Sequence, residues 1–267
     1  MMDPKTSTVK WDIRKSEKVP DKVITESPLE LRMIHYDSAL NRKVEVIFTT
    51  MRTPGNDIDL MKGYLLSSGL IASLSDVSSI NQVSDTVTEA IMVASYRLDF
   101  SLQQVGIIHS ACGICGKKDL LDMESDSSGL PWSSSFQIIY EKLKIVRKEF
   151  VSMQSLFSVT GGSHAACFFD EEGKIIDSAE DVGRHTAVDK AIGKMGRDNF
   201  SDYGLMVTSR VSYEIMMKAM YIGCPIVIGM GAATSAAIEV AEAHGITLIG
   251  FFKNTNYALY THPSRIL

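Results

Sequence analysis

The chain has 267 residues, of which 45% are hydrophobic and 22% charged, with 27 Lys and Arg against 32 Asp and Glu. That length is ample for a real core in one large domain or two smaller ones, and a net charge of -5 argues against a generally basic nucleic-acid surface. Four cysteines are too few for a disulfide scaffold and point to the cytosol, while no apolar run reaches membrane-spanning length or forms a signal-peptide core.

Residues 1–22 are polar and charged, with Lys10, Arg14, Lys15, Lys18 and Lys22 and no periodicity, and read as a mobile arm. From Pro28 the pattern changes. Leu29, Leu31 and Met33 alternate with polar residues, as do Val44, Val46 and Phe48, which predicts an antiparallel pair of strands. Pro54-Gly55 marks a turn, and Asn56 or Asp57 can cap a helix to about Ser68. Its inner face is Ile58, Met61, Tyr64 and Leu65, with Gly69 as the stop. Arg52, alone in that turn, reads as a surface residue. Residues 72–90 suggest loop and edge strand, and strands are predicted over 90–98 and 102–108.

The second of these leads into Ser110-Ala111-Cys112-Gly113-Ile114-Cys115-Gly116-Lys117-Lys118. Two thiols three positions apart lie between glycines, with two lysines behind them. A thiolate is the nucleophile, and a helix N-terminus or a nearby cation lowers a cysteine pKa. Residues 117–123 can begin such a helix, and the glycines let a partner approach the sulfurs. A C-x-x-C of this kind serves as half a zinc site, a redox pair or a sulfur carrier, or simply as two small buried hydrophobes.

Residues 124–134 read as a linker. Ser134 or Ser135 then caps a helix with Phe136, Ile139, Leu143, Val146 and Phe150 at helical spacing. In Val159-Thr160-Gly161-Gly162-Ser163-His164, the Thr-Gly-Gly segment can aim backbone N–H groups at a phosphate. His164 itself can be an anion contact, a metal ligand or a structural histidine. A hairpin over 168–176 leads to Glu180-Asp181-Val182-Gly183-Arg184-His185, after which Val188, Ala191, Ile192 and Met195 form the buried stripe of a helix. Arg184 and His185 stand at its N-terminal end, where the dipole favours an anion, and Asp181 is expected to orient the turn or His185.

The last third alternates strand 205–208, helix 211–222, strand 225–229, helix 234–244 and strand 246–251, an order that implies parallel strands. Ligands bind beyond the carboxyl ends of such strands. Those ends carry Thr208-Ser209-Arg210, Met230-Gly231-Ala232-Ala233-Thr234-Ser235 and Phe251-Phe252-Lys253-Asn254, so Arg210 and Lys253 are candidate cations of one crevice. No dinucleotide fingerprint or P-loop is present. Cys224 reads as core.

Cys112-Gly113-Ile114-Cys115-Gly116, Thr160-Gly161-Gly162-Ser163-His164-Ala165-Ala166, Glu180-Asp181-Val182-Gly183-Arg184-His185 with Ala187-Val188-Asp189-Lys190, and Arg210-Val211-Ser212-Tyr213-Glu214 together resemble the FdhD family. So do Glu26-Ser27-Pro28-Leu29-Glu30, Met51-Arg52-Thr53-Pro54-Gly55 and Thr247-Leu248-Ile249-Gly250-Phe251. The resemblance implies a formate dehydrogenase accessory protein, a sulfurtransferase of the cytoplasm. Such a protein takes persulfide sulfur from a cysteine desulfurase on the C-x-x-C loop. It passes that sulfur to the molybdenum or tungsten bis-guanine-dinucleotide cofactor destined for the formate dehydrogenase catalytic subunit.

The resemblance further implies a cytidine deaminase-like three-layer α/β sandwich with a mixed sheet, from 135 to 267. A smaller N-terminal β-rich α+β part over 23–124 and a homodimer complete the expectation. Cys112 is then the expected carrier and Cys115 its helper, since a second thiol can attack the inner sulfur of a persulfide. Phe251, Phe252, Lys253, Asn254, Thr255 and Asn256 match the segment assigned to cofactor binding. Thr160, Gly161, Gly162, His164, Arg184, His185 and Arg210 are added as phosphate contacts, for the cofactor or a GDP- or GTP-like nucleotide. Neither a nucleic-acid nor a membrane partner is implied. The chain departs from the family pattern at Ser209 and over Gly231-Ala232-Ala233, both in the crevice loops. Three rivals stand beside this reading. One of them, a thioredoxin-like oxidoreductase, would place the C-x-x-C after the first strand of a βαβ unit, where it does not stand here. A zinc deaminase would need H-x-E followed by P-C-x-x-C, whereas His164-Ala165-Ala166 lacks the Glu and follows the cysteines. A zinc-stabilised chaperone module for a dehydrogenase is the non-catalytic alternative.

Overall fold

A computed structural model describes residues 3–97, 134–253 and 256–267. The first part of the chain forms β1 (Lys5–Asp12), β2 (Glu17–Ile24), β3 (Ser27–Tyr36), β4 (Arg42–Arg52), α1 (Asp57–Ser67), β5 (Val77–Ser84) and β6 (Val87–Met92). The second forms α2 (Tyr140–Met153), α3 (Ser155–Thr160), β7 (His164–Phe169), β8 (Ile175–Asp181), α4 (Arg184–Met195), β9 (Gly204–Val207), α5 (Tyr213–Tyr221), β10 (Ile226–Gly229), α6 (Ser235–Ala243), β11 (Thr247–Gly250) and β12 (Ala258–Thr261).

A six-stranded mixed sheet is ordered β12-β11-β10-β9-β7-β8, and a four-stranded mixed sheet β4-β3-β6-β5. β9, β10 and β11 are parallel, as the alternation of strands and helices requires. They are fully buried four-residue strands, the pattern of parallel strands covered on both faces. Their side chains divide by parity. Leu205, Val207, Val227 and Leu248 enter one core, with α1, α4, α5, α6 and the inner face of the four-stranded sheet. Met206, Ile226, Ile228 and Ile249 enter the other, under Leu143, Val146 and Phe150 of α2. The first core runs without interruption from Leu29, Leu31 and Met33 of β3 to the six-stranded sheet, so the N-terminal part shares its core with the rest. α1 and α4 cross antiparallel at very close range: a Cβ on Gly63 would collide with the Asp189 carbonyl, and one on Gly193 with the Asp59 carbonyl.

The structure corrects several sequence expectations. Most of the predicted arm is a hairpin, with β1 and β2 paired from Lys5↔Ile24 to Asp12↔Glu17. It lacks a hydrophobic period because the backbone ladder, not burial, holds it, and Val9 and Trp11 stay exposed. The helix expected from Ser134 or Ser135 starts at Tyr140. Phe136 and Ile138 instead lie two apart in extended chain and are buried, and Ile138 bridges Ile266 of the C-terminal tail. In α1 the buried face includes Leu60, and Ile58 is 40% exposed. The strand predicted from residue 90 is β6, which begins at Val87, while the candidate over 102–108 lies outside the described residues. Arg52 is buried, not a surface turn residue. It grips Asp57 with Nε at 2.9 Å and a second guanidinium nitrogen at 2.8 Å, and also donates to the Asp85 carbonyl and the Ser27 hydroxyl. Among the described residues no helix is long and apolar enough to cross a membrane.

Candidate functional site

The three predicted strand-end loops do meet at one edge of the six-stranded sheet. Met230 N–H donates to the Val207 carbonyl, Gly231 N–H to Ser209, Val211 N–H to Ala232, and Phe251 N–H to Gly231 at 2.7 Å. Backbone packs on backbone here: a Cβ on Gly231 would sit 3.0 Å from Arg210 N, and one on Gly250 would sit 3.2 Å from Ala233 N. At Gly231, one of the departures from the family pattern, the absent side chain is what lets the loops approach. At the other departure, Ser209 is buried and its hydroxyl donates to the Arg210 carbonyl at 2.9 Å.

β7 runs antiparallel to β9, so its first residue, His164, lies at this same edge. It pairs with Asp181, the last residue of β8, and the chain turns there into α4. Arg184 and His185 therefore stand beside the loops. Gly183 precedes α4 with no side-chain cap, which leaves the positive end of the helix dipole toward the edge. Asp181 orients the turn, as expected, but through backbone. It accepts from Gly183 N–H at 2.8 Å and Thr53 N–H at 3.0 Å, and pairs with Lys190 at 2.6 Å. Burial pushes its carboxyl above the ordinary range, and Lys190 with the two N–H groups offsets only part of that push.

The cations differ in their surroundings. Arg210 and Lys253 are exposed. Arg184 Nε and His185 Nδ1 are shielded from solvent with no hydrogen-bond partner among the described residues. Burial, then the positive charges of Lys218 and Arg184, push His185 down to about 4 against the pull of Glu214. Burial and Arg184 lower His164 as well. Burial of Glu214 works against its charge, yet the Ser212 hydroxyl at 2.7 Å, its own N–H, His185 and Arg184 together hold its carboxyl low. Glu214 and Lys218 escaped the sequence reading as site neighbours. Their four-residue spacing on one polar stripe of α5 was the available signal.

Two sets of expected contacts are corrected. Gly161 N–H donates to the Phe157 carbonyl and Gly162 N–H to the Thr160 hydroxyl. The Thr160-Gly161-Gly162 donors therefore close the end of α3, with Gly161 in left-handed conformation, rather than forming an open anion cradle. Phe252 is fully buried against Tyr140 and Tyr257, so its ring belongs to the core. Its neighbour Phe251 has φ 52 and is 45% exposed, a left-handed backbone that a bulky residue adopts only at some strain. Lys253 and Asn256 are exposed. Asn254, Thr255, Cys112 and Cys115 lie outside the described residues. The two described cysteines are buried. Burial pushes the Cys167 thiol well above its ordinary range and Cys224 up to about 12, so both are poor nucleophiles.

A pH dependence follows from His185. Its folded pKa lies near 4 against 6.5 for the unconstrained group, so the unfolded chain binds the proton first. Its contribution to stability is full above pH 6.5 and is lost as pH falls through that window, by at most about 1.4 kcal/mol per unit. Urea midpoints between pH 7.5 and 5 are expected to fall, and to fall less steeply in His185→Asn.

The family model described as FdhD/NarQ family matches residues 26–267. A sulfur carrier protein FdhD from Sulfolobus acidocaldarius is 40% identical over 98% of this chain and 97% of its own. One from Saccharolobus solfataricus is 36% identical over 92% and 91%, and one from Mycobacterium tuberculosis 31% identical over 92% of each. A solved structure from Desulfotalea psychrophila, described as a candidate formate dehydrogenase accessory protein, aligns with a TM-score of 0.73 over 98% of both chains at 18% identity, a likeness of fold. With a family match across nine-tenths of its length and relatives of this identity, the chain belongs to the FdhD/NarQ family.

Proposed function

We propose that this protein is a cytoplasmic sulfur carrier for formate dehydrogenase. It accepts persulfide sulfur from a cysteine desulfurase and delivers it to the molybdenum or tungsten bis-guanine-dinucleotide cofactor, its anionic acceptor substrate. The observation that carries the reading is the family match over 26–267, which contains Cys112-Gly113-Ile114-Cys115-Gly116; relatives named sulfur carrier proteins support it. Cys112 carries the sulfur and Cys115 assists its release.

The chemistry of the sheet edge suits such a substrate. Arg184 and His185 hold shielded nitrogens without a partner among the described residues, Arg210 and Lys253 are exposed cations suited to phosphates, and the exposed Phe251 ring offers a face on which a guanine can stack. A GDP- or GTP-like nucleotide would use the same groups. Helices packed against the six-stranded mixed sheet support the cytidine deaminase-like sandwich, and a homodimer that docks a formate dehydrogenase catalytic subunit completes the reading.

The test is peptide mass spectrometry after incubation with a cysteine desulfurase and cysteine, with metal content measured on the same sample. One added sulfur, reducible by thiols, is expected on Cys112. Cys112→Ala is expected to abolish sulfur transfer while retaining cofactor binding. No added sulfur, with one zinc per chain, would overturn the carrier reading in favour of a zinc-stabilised module.

A further inference from the structure

The backbone around Phe251 is pinned from several sides. Phe251 N–H donates to the Gly231 carbonyl at 2.7 Å, Phe252 N–H to the Gly229 carbonyl at 3.0 Å, and Lys253 N–H to the Asn256 carbonyl at 2.9 Å. The Phe252 carbonyl is held from α2, where Arg147 Nε donates to it at 3.1 Å. The Phe252 ring is clamped as well. It stands edge-on to Tyr140 of α2 with 6.2 Å between centroids, and tilted against Tyr257 at 6.1 Å. Two N–H bonds thus fix the peptide planes on each side of Phe251. Arg147 and the aromatic clamp fix the residue that follows, so the turn cannot relax by swinging residues 252 and 253 outward. The result is a φ of 52 at Phe251, with the residue still 45% exposed. A bulky residue in that region is an outlier, and such strain persists where the surroundings over-determine it, above all at ligand clamps. Packing gives little in return here, and a Gly or Asn would turn the chain at less cost. Gly231 links this ring to a cation. It accepts the Phe251 N–H, and a Cβ on it would lie 3.0 Å from Arg210 N, so the exposed Arg210 adjoins the same glycine.

We propose that Arg147 is a positioning residue of the candidate site. By holding the Phe252 carbonyl it sets Phe251 as a preformed face for the base of a nucleotide whose phosphates lie toward Arg210. The proposal rests on the proposed function, in taking the sheet edge to receive a guanine nucleotide. The Arg147 guanidinium acts through the backbone rather than on the nucleotide itself. A ring already fixed in place accepts a base without first paying to order its loop. Stacking is tolerant of base identity, so Phe251 supplies affinity for a base, and the choice of guanine falls to other groups.

Calorimetric titration of the full chain with GDP, and separately with pyrophosphate, tests the proposal. Phe251→Ala is expected to weaken GDP binding roughly ten- to hundredfold and to leave pyrophosphate binding unchanged. Arg147→Met is expected to show the same split at smaller size, roughly five- to tenfold, since it loosens the ring instead of removing it. Arg147→Lys, which retains a donor for the carbonyl, is expected to recover most of that loss. In the Phe251→Ala background, Arg147→Met is expected to cost nothing more, because its effect runs through the ring. Additive losses in the double variant would overturn the proposal by giving Arg147 an effect of its own. An equal loss of pyrophosphate binding in Arg147→Met would overturn it by making Arg147 a general support of the sheet edge. GDP bound by Arg147→Met as tightly as by the wild type would overturn it outright. A wild-type chain that binds no GDP would instead remove the nucleotide reading, and the proposal with it. No sulfur donor is present in these titrations, so persulfide formation on Cys112 succeeds or fails independently of them.

Discussion

Lys190→Met is expected to destabilise the fold by about 3–5 kcal/mol, read as a fall in the urea midpoint at pH 7. Lys190 and Asp181 are 1% and 0% exposed and lie 2.6 Å apart. The ammonium also donates to the Thr53 carbonyl at 2.7 Å, and Val182 N–H reaches the Thr53 hydroxyl at 3.0 Å. Removing the lysine leaves a buried carboxylate with only two backbone N–H donors, which do not match a full charge. The sign of the pH response separates this mechanism from a simple loss of packing. The Asp181 pKa is already raised by burial and must rise further once Lys190 is gone. A raised carboxyl contributes stability below its unfolded pKa and loses it as pH rises through the folded one. The deficit of Lys190→Met should therefore shrink as pH falls, and Lys190→Met with Asp181→Asn should recover most of it. A deficit independent of pH would mean that the lost lysine stem, not the orphaned charge, is responsible. Because Asp181 holds the Gly183 N–H, the same substitution is expected to loosen the turn that presents Arg184 and His185.

Gly193→Ala and Gly63→Ala are each expected to destabilise by at least about 3 kcal/mol, at or beyond the upper end of ordinary overpacking. Helix propensity alone predicts the opposite sign, a gain of about 1 kcal/mol for Gly→Ala in a helix interior. The structure decides between the two. A methyl group at either position meets a backbone carbonyl of the facing helix, Asp59 for Gly193 and Asp189 for Gly63. A backbone atom cannot swing aside as a side-chain tip can, so α1 and α4 would have to move apart. That separation would also stretch the Ser67–Asp189 bond of 2.6 Å and disturb the bonds from Lys218 to both residues. Thermal unfolding of the two single variants checks the sign directly, and a rise in midpoint in either would show that the crossing is wider than described.

The division between what was legible in the residues and what was not runs along the range of the interactions. The β9-α5-β10-α6-β11 order, its parallel pairing, and the gathering of residues 208–210, 230–235 and 251–253 at one sheet edge were readable from periodicity. A helix or strand that buries one face must repeat apolar residues at its own spacing, and that requirement is local. The antiparallel β3–β4 pair and the β7–β8 hairpin were legible for the same reason. The hairpin β1–β2 was not, because a ladder held by backbone bonds between polar side chains leaves no apolar period. Nor could spacing show that Arg52 is buried on Asp57, that the Thr160-Gly161-Gly162 donors are used within their own turn, or that Phe252 packs inward while Phe251 faces out. Asp181 meets Thr53 across 128 positions, and Lys218 meets Ser67 across 151. The partner of a buried charge is chosen by which elements pack together, and nothing in the spacing around either residue names that partner. The amino-acid pattern alone therefore determined the elements and the edge at which the strand-end loops collect. Only the packed structure decided which polar groups at that edge are already satisfied and which, like Arg184 Nε and His185 Nδ1, lack a partner among the described residues.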